Sequence, residues 1–311
     1  MTPPVLFIQF IFGIAQFLAG IMANGIIIIV SGLEYIKRKR VTAYNLLLTS
    51  LGIFRIFLQA LIFVSHLMFF LTVELYMDRE VFIFYLFINE VNLWLATYLC
   101  VFYCVKIANI VHPFFLWLKM RISRLVPWWI LVSLLISSAI SMCQSLLYWP
   151  RDNKELRRFL AGNITTQALF QYIFPTPILV VGLAMPLCMF NVASFLLIYS
   201  LCRHTRQMRS MATGSRDPSS EAHIRAMKSI FSFLVLYTSY YVGVLVAFST
   251  FPIERDFLLF LVFSLAALYP SGHSIILILG NSKLKHYTRK FLLSAKCCLG
   301  RGSALDSTQS Q

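Results

Sequence analysis

The sequence predicts an all-α membrane protein, a seven-transmembrane helix bundle with a short amphipathic C-terminal helix, and three observations predict it. The first is composition: of 311 residues, 59% are hydrophobic, 15% aromatic and only 13% charged. A soluble chain of this length covers its core with charge; here charge is missing over long stretches, so lipid has to be the solvent. The second is the length of those stretches. Crossing ~30 Å of hydrocarbon takes ~20 apolar residues at ~1.5 Å rise each, and seven runs are long enough. The third is the placement of Lys and Arg, which gather in every second connection.

In chain order the runs are 1–33; 41–73, interrupted by Arg55; 81–105, interrupted by Glu90; 125–150; 159–202; 229–253; and 257–282. No Lys or Arg precedes the first run and no small-residue cleavage site follows it, so it is expected to be the first span and not a removable signal sequence. The third run ends without a glycine or break: Trp94 to Val105 is uncharged, then Lys106, Lys119 and Arg121 make a cationic loop suited to a docking face. Pro127, Pro175, Pro177, Pro186 and Pro270 fall inside spans, where neighbours can satisfy the carbonyls they free. They read as structural kinks, or, for Pro186 and Pro270, as hinges. Between spans five and six, Gly214 to Ser220 reads as a turn, with Ser219 or Ser220 capping a helix that begins near Glu221. After span seven, Leu284, Tyr287 and Phe291 fall at i, i+3 and i+7, with Lys285, Arg289 and Lys290 elsewhere on the wheel, which suits a helix lying along the inner leaflet. The chain thus divides into a bundle, 1–282, and a cytoplasmic helix with a disordered tail, 283–311. Cys297 and Cys298 in that tail are either palmitoylation sites or unmodified thiols.

A net charge of +15 would suggest nucleic acid in a soluble protein, but its placement argues for a membrane and no nucleic acid. Lys and Arg number 20 in 34–40, 106–124, 203–229 and beyond 282, against six in the alternate connections. The positive-inside rule then puts the N-terminus outside the cell and the C-terminus in the cytoplasm of a multi-pass plasma-membrane protein. The sequon at Asn163 lands in the connection 151–172, on the side expected to be external, and is a candidate glycosylation site. None of the seven cysteines lies in an external connection, so no disulfide is available there.

Ionisable groups inside spans cost about 2.5–3.5 kcal/mol on insertion scales and are functional candidates for that reason. Arg55 must point into the bundle and find acceptors, with Asn24 of the first span and carbonyls or hydroxyls of the seventh the candidates. It is a structural staple, a switch, or both. His66 and Glu90, in the outer parts of spans two and three, are placed to reach the external interface. Trp94, Tyr98, Tyr240 and Tyr241 either line an outer cavity or form a lipid-facing belt. Two basic helix ends facing one another across 203–229 suit an acidic partner, or are a solvated face. No metal-ligating histidine pair, nucleophile elbow or phosphate loop is present, so neither a cofactor nor an enzyme activity is expected. With no internal repeat and an odd number of spans, a small multi-pass transporter or channel is the lesser alternative to a receptor.

Five motifs in order resemble those of the type 2 (bitter) taste receptors, a family of G-protein-coupled receptors: LTSLGIFRIFLQ, VFYCVKIANIVHPFFLWLKMRI, LLIYSLCRHTRQM, GSRDPSSEAHIRAMKSIFSFL and YPSGHSIILILGNSKLKH. The likeness covers nearly everything from Asn24 to Phe291. Phe102-Tyr103-x-x-Lys106 and His273-Ser274-Ile275-Ile276-Leu277 stand where rhodopsin-like receptors carry their inner motifs. The resemblance implies a ligand pocket with Trp94 on span three, Tyr98 one turn deeper, Tyr240 on span six, and Ser65 and His66 high on span two. Phe263 falls where some members place a glutamate that engages basic ligands. Phe54 departs from the serine usual before the family's arginine. The resemblance also implies small bitter agonists and a gustducin-like, inhibitory-class heterotrimeric G protein. That partner would meet a face built from Tyr103, Lys106, Lys119, Arg121, Arg206, Arg225 and Lys228. Asn24, Arg55, His273 and Ser274 would form the network that changes between resting and active bundles.

Overall fold

The computed structural model describes residues 3–72, 79–108, 110, 112–148, 176–211, 218–248, 255–291 and 293. Seven long helices run through them: α1 (Pro3–Arg38), α2 (Ala43–Thr72), α3 (Arg79–Ile107), α4 (Pro113–Tyr148), α5 (Thr176–Met211), α6 (Pro218–Phe248) and α7 (Arg255–Gly280). A short α8 covers 282–291. Among the described residues five segments are long and apolar enough to cross a membrane: Phe7–Lys37, Ala43–Met68, Glu80–Ile107, Pro113–Gln144 and Val181–Arg203; α7 adds the shorter apolar stretch Ser264–Gly280.

The helices close into a ring. α1 lies against α2 and α7, α2 against α3, α3 against α4 and α5, α5 against α6, and α6 against α7. Polarity is inverted relative to a soluble fold. Ile29, Phe57, Leu135, Val192 and Phe195 are exposed, while Asn24, Arg55, Asn92 and Ser274 are fully buried. Lipid solvates the apolar exterior, so polar groups find partners only inside. α3 is the most enclosed helix, with every residue from 88 to 100 buried. Its polar groups are held there by hydrogen bonds, with Asn92 Oδ1 left without one. Asn92 Nδ2 donates to the carbonyls of Phe54 on α2 and Ile88, at 3.1 and 2.8 Å. Thr97 Oγ1 donates to the carbonyls of Leu93 and of Pro186 on α5, at 2.9 and 3.0 Å.

The helices outrun the apolar runs at their basic ends. Lys119 and Arg121 are not in a loop after α3: α4 begins at Pro113, so both stand on its early turns, and the α3–α4 connection is only 108–112. Proline suits that first helical position because its missing N–H would have had no partner. α6 likewise begins at Pro218, ahead of the start expected near Glu221, so Ser219 and Ser220 are helical and do not cap it. α8 forms where expected, and Asn281 caps it: its Oδ1 accepts the N–H groups of Lys283 and Leu284 at 3.0 and 3.3 Å. Leu284 is buried against the bundle and Phe291 is exposed. Asn163, the 212–217 turn, and Cys297 with Cys298 lie outside the described residues.

Candidate functional site

Two clusters of sequence-nominated residues form inside the bundle, and a run of aromatic rings joins them. The first sits midway along α3. Trp94 and Tyr98 follow one another on the same helical face, ring centroids 5.6 Å apart, and Tyr98 meets Trp129 of α4 at 5.3 Å. The Trp94 indole Nε1 donates to Glu90 Oε1 one turn back, at 3.2 Å. Across the bundle the Tyr240 hydroxyl of α6 donates to Asn89 Oδ1 at 3.1 Å. Trp94, Tyr98 and Tyr240 are 5%, 6% and 5% exposed, so they face the interior and not a lipid belt. Glu90, expected at the external interface, is 3% exposed instead. Its place eleven residues into α3 carries it too deep to reach the end of the bundle, and the indole supplies the hydrogen bond that water would have. On α5, a Cβ at Gly182 would stand 3.6 Å from Glu90 Oε1, an ordinary contact distance, so α5 packs close against the carboxyl.

His66 and Ser65 do not join that cluster. His66 is 4% exposed, not at the surface, and its Nδ1 lies 3.0 Å from the Ile62 carbonyl. It lines a separate cavity of about 10 Å³ with Gly13 and Phe17 of α1, Gln59, Ile62 and Phe63 of α2, and Ala267 of α7, room for roughly one water. The half-buried Ser65 donates to its own helix, at Leu61 O, 2.9 Å away. Phe263 lies on α7, its side chain outside the described set.

The second cluster centres on Arg55. Its Nη1 donates to Ser274 Oγ at 3.0 Å, and its Nη2 meets His273 Nδ1. Ser274 in turn donates to Asn24 Oδ1 at 2.7 Å, and Asn24 Nδ2 to the Gly20 carbonyl at 2.9 Å. The arginine therefore reaches the first span through a hydroxyl of the seventh, and helices α1, α2 and α7 are tied together. Beside it, Arg55 Nε and the Tyr269 hydroxyl are buried without well-formed hydrogen bonds.

The aromatic run connects the two. His273 stacks on Phe233 at 3.4 Å; Phe233 meets Tyr269 at 6.1 Å, and Tyr269 meets Tyr240 at 5.4 Å. Phe190 of α5 presses edge-on against Phe233 at 4.6 Å. Phe233, Tyr237 and Tyr240 sit at i, i+4 and i+7 on α6, an aromatic stripe at helical spacing that sequence reading could have flagged.

At the basic end, the Tyr103 hydroxyl donates to Tyr44 of α2 at 2.9 Å, and Asn281 Nδ2 donates to the same Tyr44 oxygen at 2.7 Å. Tyr103 is thus half-buried and engaged within the bundle, whereas Lys106, Arg121, Arg206 and Lys228 are exposed and Lys119 is half-buried. Lys106 lies over the Phe102 ring and Arg121 over Trp117, at 6.0 and 5.4 Å. Arg225 stands on α6, its side chain outside the described set.

Comparison with known proteins decides the family. The sequence model described as Taste receptor protein (TAS2R) matches residues 1–296. The chain belongs to the type 2 taste receptor family. It is 45% identical to taste receptor type 2 member 1 of Pan paniscus over 294 residues, covering 94% of this chain and 98% of that protein. Against taste receptor type 2 member 119 of Rattus norvegicus the identity is 43%, covering 93% and 86%. Against member 7 of Pongo pygmaeus it is 35%, covering 94% of each. Type 2 taste receptors are multi-pass G-protein-coupled receptors of bitter taste, so the chain is a signalling receptor and not an enzyme.

Proposed function

We propose that this receptor binds small bitter compounds between α3, α5 and α6, at Trp94, Tyr98 and Tyr240, and activates a gustducin-like heterotrimeric G protein of the inhibitory class. The N-terminus is extracellular and the basic end cytoplasmic. The observation that supports this best is the unbroken side-chain path from Tyr240 through Tyr269 and Phe233 to His273 and Arg55.

The rings of Trp94 and Tyr98 offer flat apolar area, and Glu90 offers a buried acceptor with no basic partner among the described residues. A small ligand with a polar donor can take the place of the indole N–H at that carboxyl while stacking on the rings. The cluster is closed in this structure, so a ligand enters by parting α6 from α3, which breaks the Tyr240–Asn89 hydrogen bond. That displacement is what the aromatic run carries to α7. An agonist shifts the population only by its higher affinity for the open arrangement. The inner ends then separate, Tyr103 leaves Tyr44, and Tyr103, Lys106, Lys119, Arg121, Arg206, Arg225 and Lys228 receive the G-protein α subunit. In this scheme His66 borders a neighbouring cavity and Ser65 bonds to its own helix, and both affect binding less than Trp94.

The test is a calcium-release screen of bitter compounds in cells expressing the receptor with and without a gustducin-like α subunit. Responses are expected only with the α subunit, and Trp94→Ala is expected to raise the effective agonist concentration at least about threefold at normal surface expression, from lost ring contacts. Unchanged potency across chemically different agonists would remove Trp94 from the site. Orientation is read separately: N-glycosidase is expected to shift the wild-type band, and Asn163→Gln to abolish the shift.

A further inference from the structure

The basic end of α1 and the exposed face of α8 form one surface whose chemistry the G-protein face does not use. Lys37, Lys39 and Arg40 are exposed at the end of α1, and Lys283, Lys285, Arg289 and Lys290 are exposed on α8. Although far apart in sequence, the two segments meet in the fold. Lys37 Nζ donates to the Tyr287 hydroxyl at 3.4 Å, and Lys283 Nζ stands 3.0 Å from Glu34 Oε1 on α1. Lys283, Tyr287 and Lys290 fall at i, i+4 and i+7, so the side of α8 that meets α1 is itself cationic. Glu34 is an acid within this group, and it already serves Asn45 as well as Lys283. So many like charges against one carboxylate make a surface of positive potential that attracts an anion.

The apolar residues interleaved with these cations say where that anion lies. Tyr35, Ile36 and Val41 are 53%, 70% and 60% exposed, and Phe291 and Leu293 are 53% and 56% exposed. Cationic heads above exposed apolar side chains match a bilayer interface, where the apolar groups enter the acyl region and the amines stay among headgroups. α1 also closes on a cation in the left-handed region: Lys39 has φ 49°, and its N–H reaches the Tyr35 carbonyl at 2.8 Å. Glycine or asparagine is the usual residue there.

We propose that the α1 end and α8 together bind the headgroup of a polyphosphorylated inositol phospholipid in the cytoplasmic leaflet. A lipid carrying several phosphates can touch both segments at once, whereas a singly charged one neutralises a single amine. The proposal rests on the cytoplasmic placement of the basic end argued above. None of the seven cations belongs to the G-protein face.

The experiment places the full chain in nanodiscs of phosphatidylcholine containing either phosphatidylinositol bisphosphate or phosphatidylserine at matched charge, and counts retained lipids by native mass spectrometry. Wild type is expected to keep one phosphatidylinositol bisphosphate in preference to either other lipid. Each neutralised cation is expected to weaken retention about fivefold, so Lys37→Gln with Lys290→Gln should nearly abolish it. Arg124→Gln, at the basic end of α4, should leave it unchanged. Should the double variant not reconstitute, Lys285→Gln with Arg289→Gln reads the same surface. Equal retention by wild type and neutralised protein, or phosphatidylserine retained as well as the inositol lipid, would overturn the proposal. Nanodiscs expose both faces, so this readout does not depend on orientation, which the Asn163 band shift reports on its own.

Discussion

At 0% exposure the Arg55 guanidinium has no water to turn to, and it is held by what Ser274 and His273 present. Removing it leaves the Ser274–Asn24 pair in place but strips a donor from buried acceptors, at about 1–3 kcal/mol. Arg55→Ala is therefore expected to change basal or agonist-driven signalling about fivefold or more in whatever receptor reaches the surface, with ligand affinity little altered. Arg55→Lys is expected to rescue only part, since an ammonium lacks the planar fork that meets two acceptors at once. Normal basal and evoked signalling in Arg55→Ala at normal surface density would reduce the arginine to a tolerated passenger. Asn24 accepts from Ser274 and not from Arg55 itself, the donor expected. An arginine alone in an apolar run nevertheless forces the search for partners on other helices, which is why a hydroxyl of span seven was legible in the sequence. The linking role of Ser274 was not, because it depends on how far α1 and α2 stand from α7. Glu90 was misplaced for a related reason: position along a run says how deep a group lies only once the helix start is known, and α3 begins at Arg79.

The elements were legible from charge-free runs, and their ends were not. Charge marks where the hydrocarbon stops, whereas a helix continues as long as its own hydrogen bonds and neighbours allow. α4 carries Lys119 and Arg121 on helix, and α5 carries Arg206, so the cationic face is built on rigid rods and not on loops. α8 was legible because its i, i+3 and i+7 apolar positions lie in local sequence; its cap, Asn281, lies there too but was not predicted. What local sequence does not show is that Asn281 serves two masters, capping α8 with its oxygen and holding Tyr44 with its nitrogen. Losing the cap costs a helix about 1 kcal/mol. Asn281→Ala is expected to speed amide hydrogen exchange across 283–287 about fivefold, from that lost cap, while Asn281→Asp, which keeps the accepting oxygen, restores protection. Equal exchange in wild type and Asn281→Ala would show that burial of Leu284 alone holds α8.

Over the whole molecule, the bundle places an aromatic cluster midway along α3 and a cationic face at one end, with packed rings between them. Spacing along a single helix could suggest the α6 stripe, but the stacking of His273 on Phe233 needs the ring to be closed by α7 against α6. Agonist binding and G-protein binding are expected to be coupled through that run. Coupling free energy is reciprocal: whatever factor the agonist adds to G-protein affinity, the G protein adds to agonist affinity. The direct measurement is agonist affinity for the receptor in nanodiscs, with and without nucleotide-free heterotrimer. Tightening by about five- to 150-fold, the usual span of such coupling, is expected, with a smaller factor in Arg55→Ala. Agonist affinity that stays the same whether or not the heterotrimer is bound would rule the coupling out.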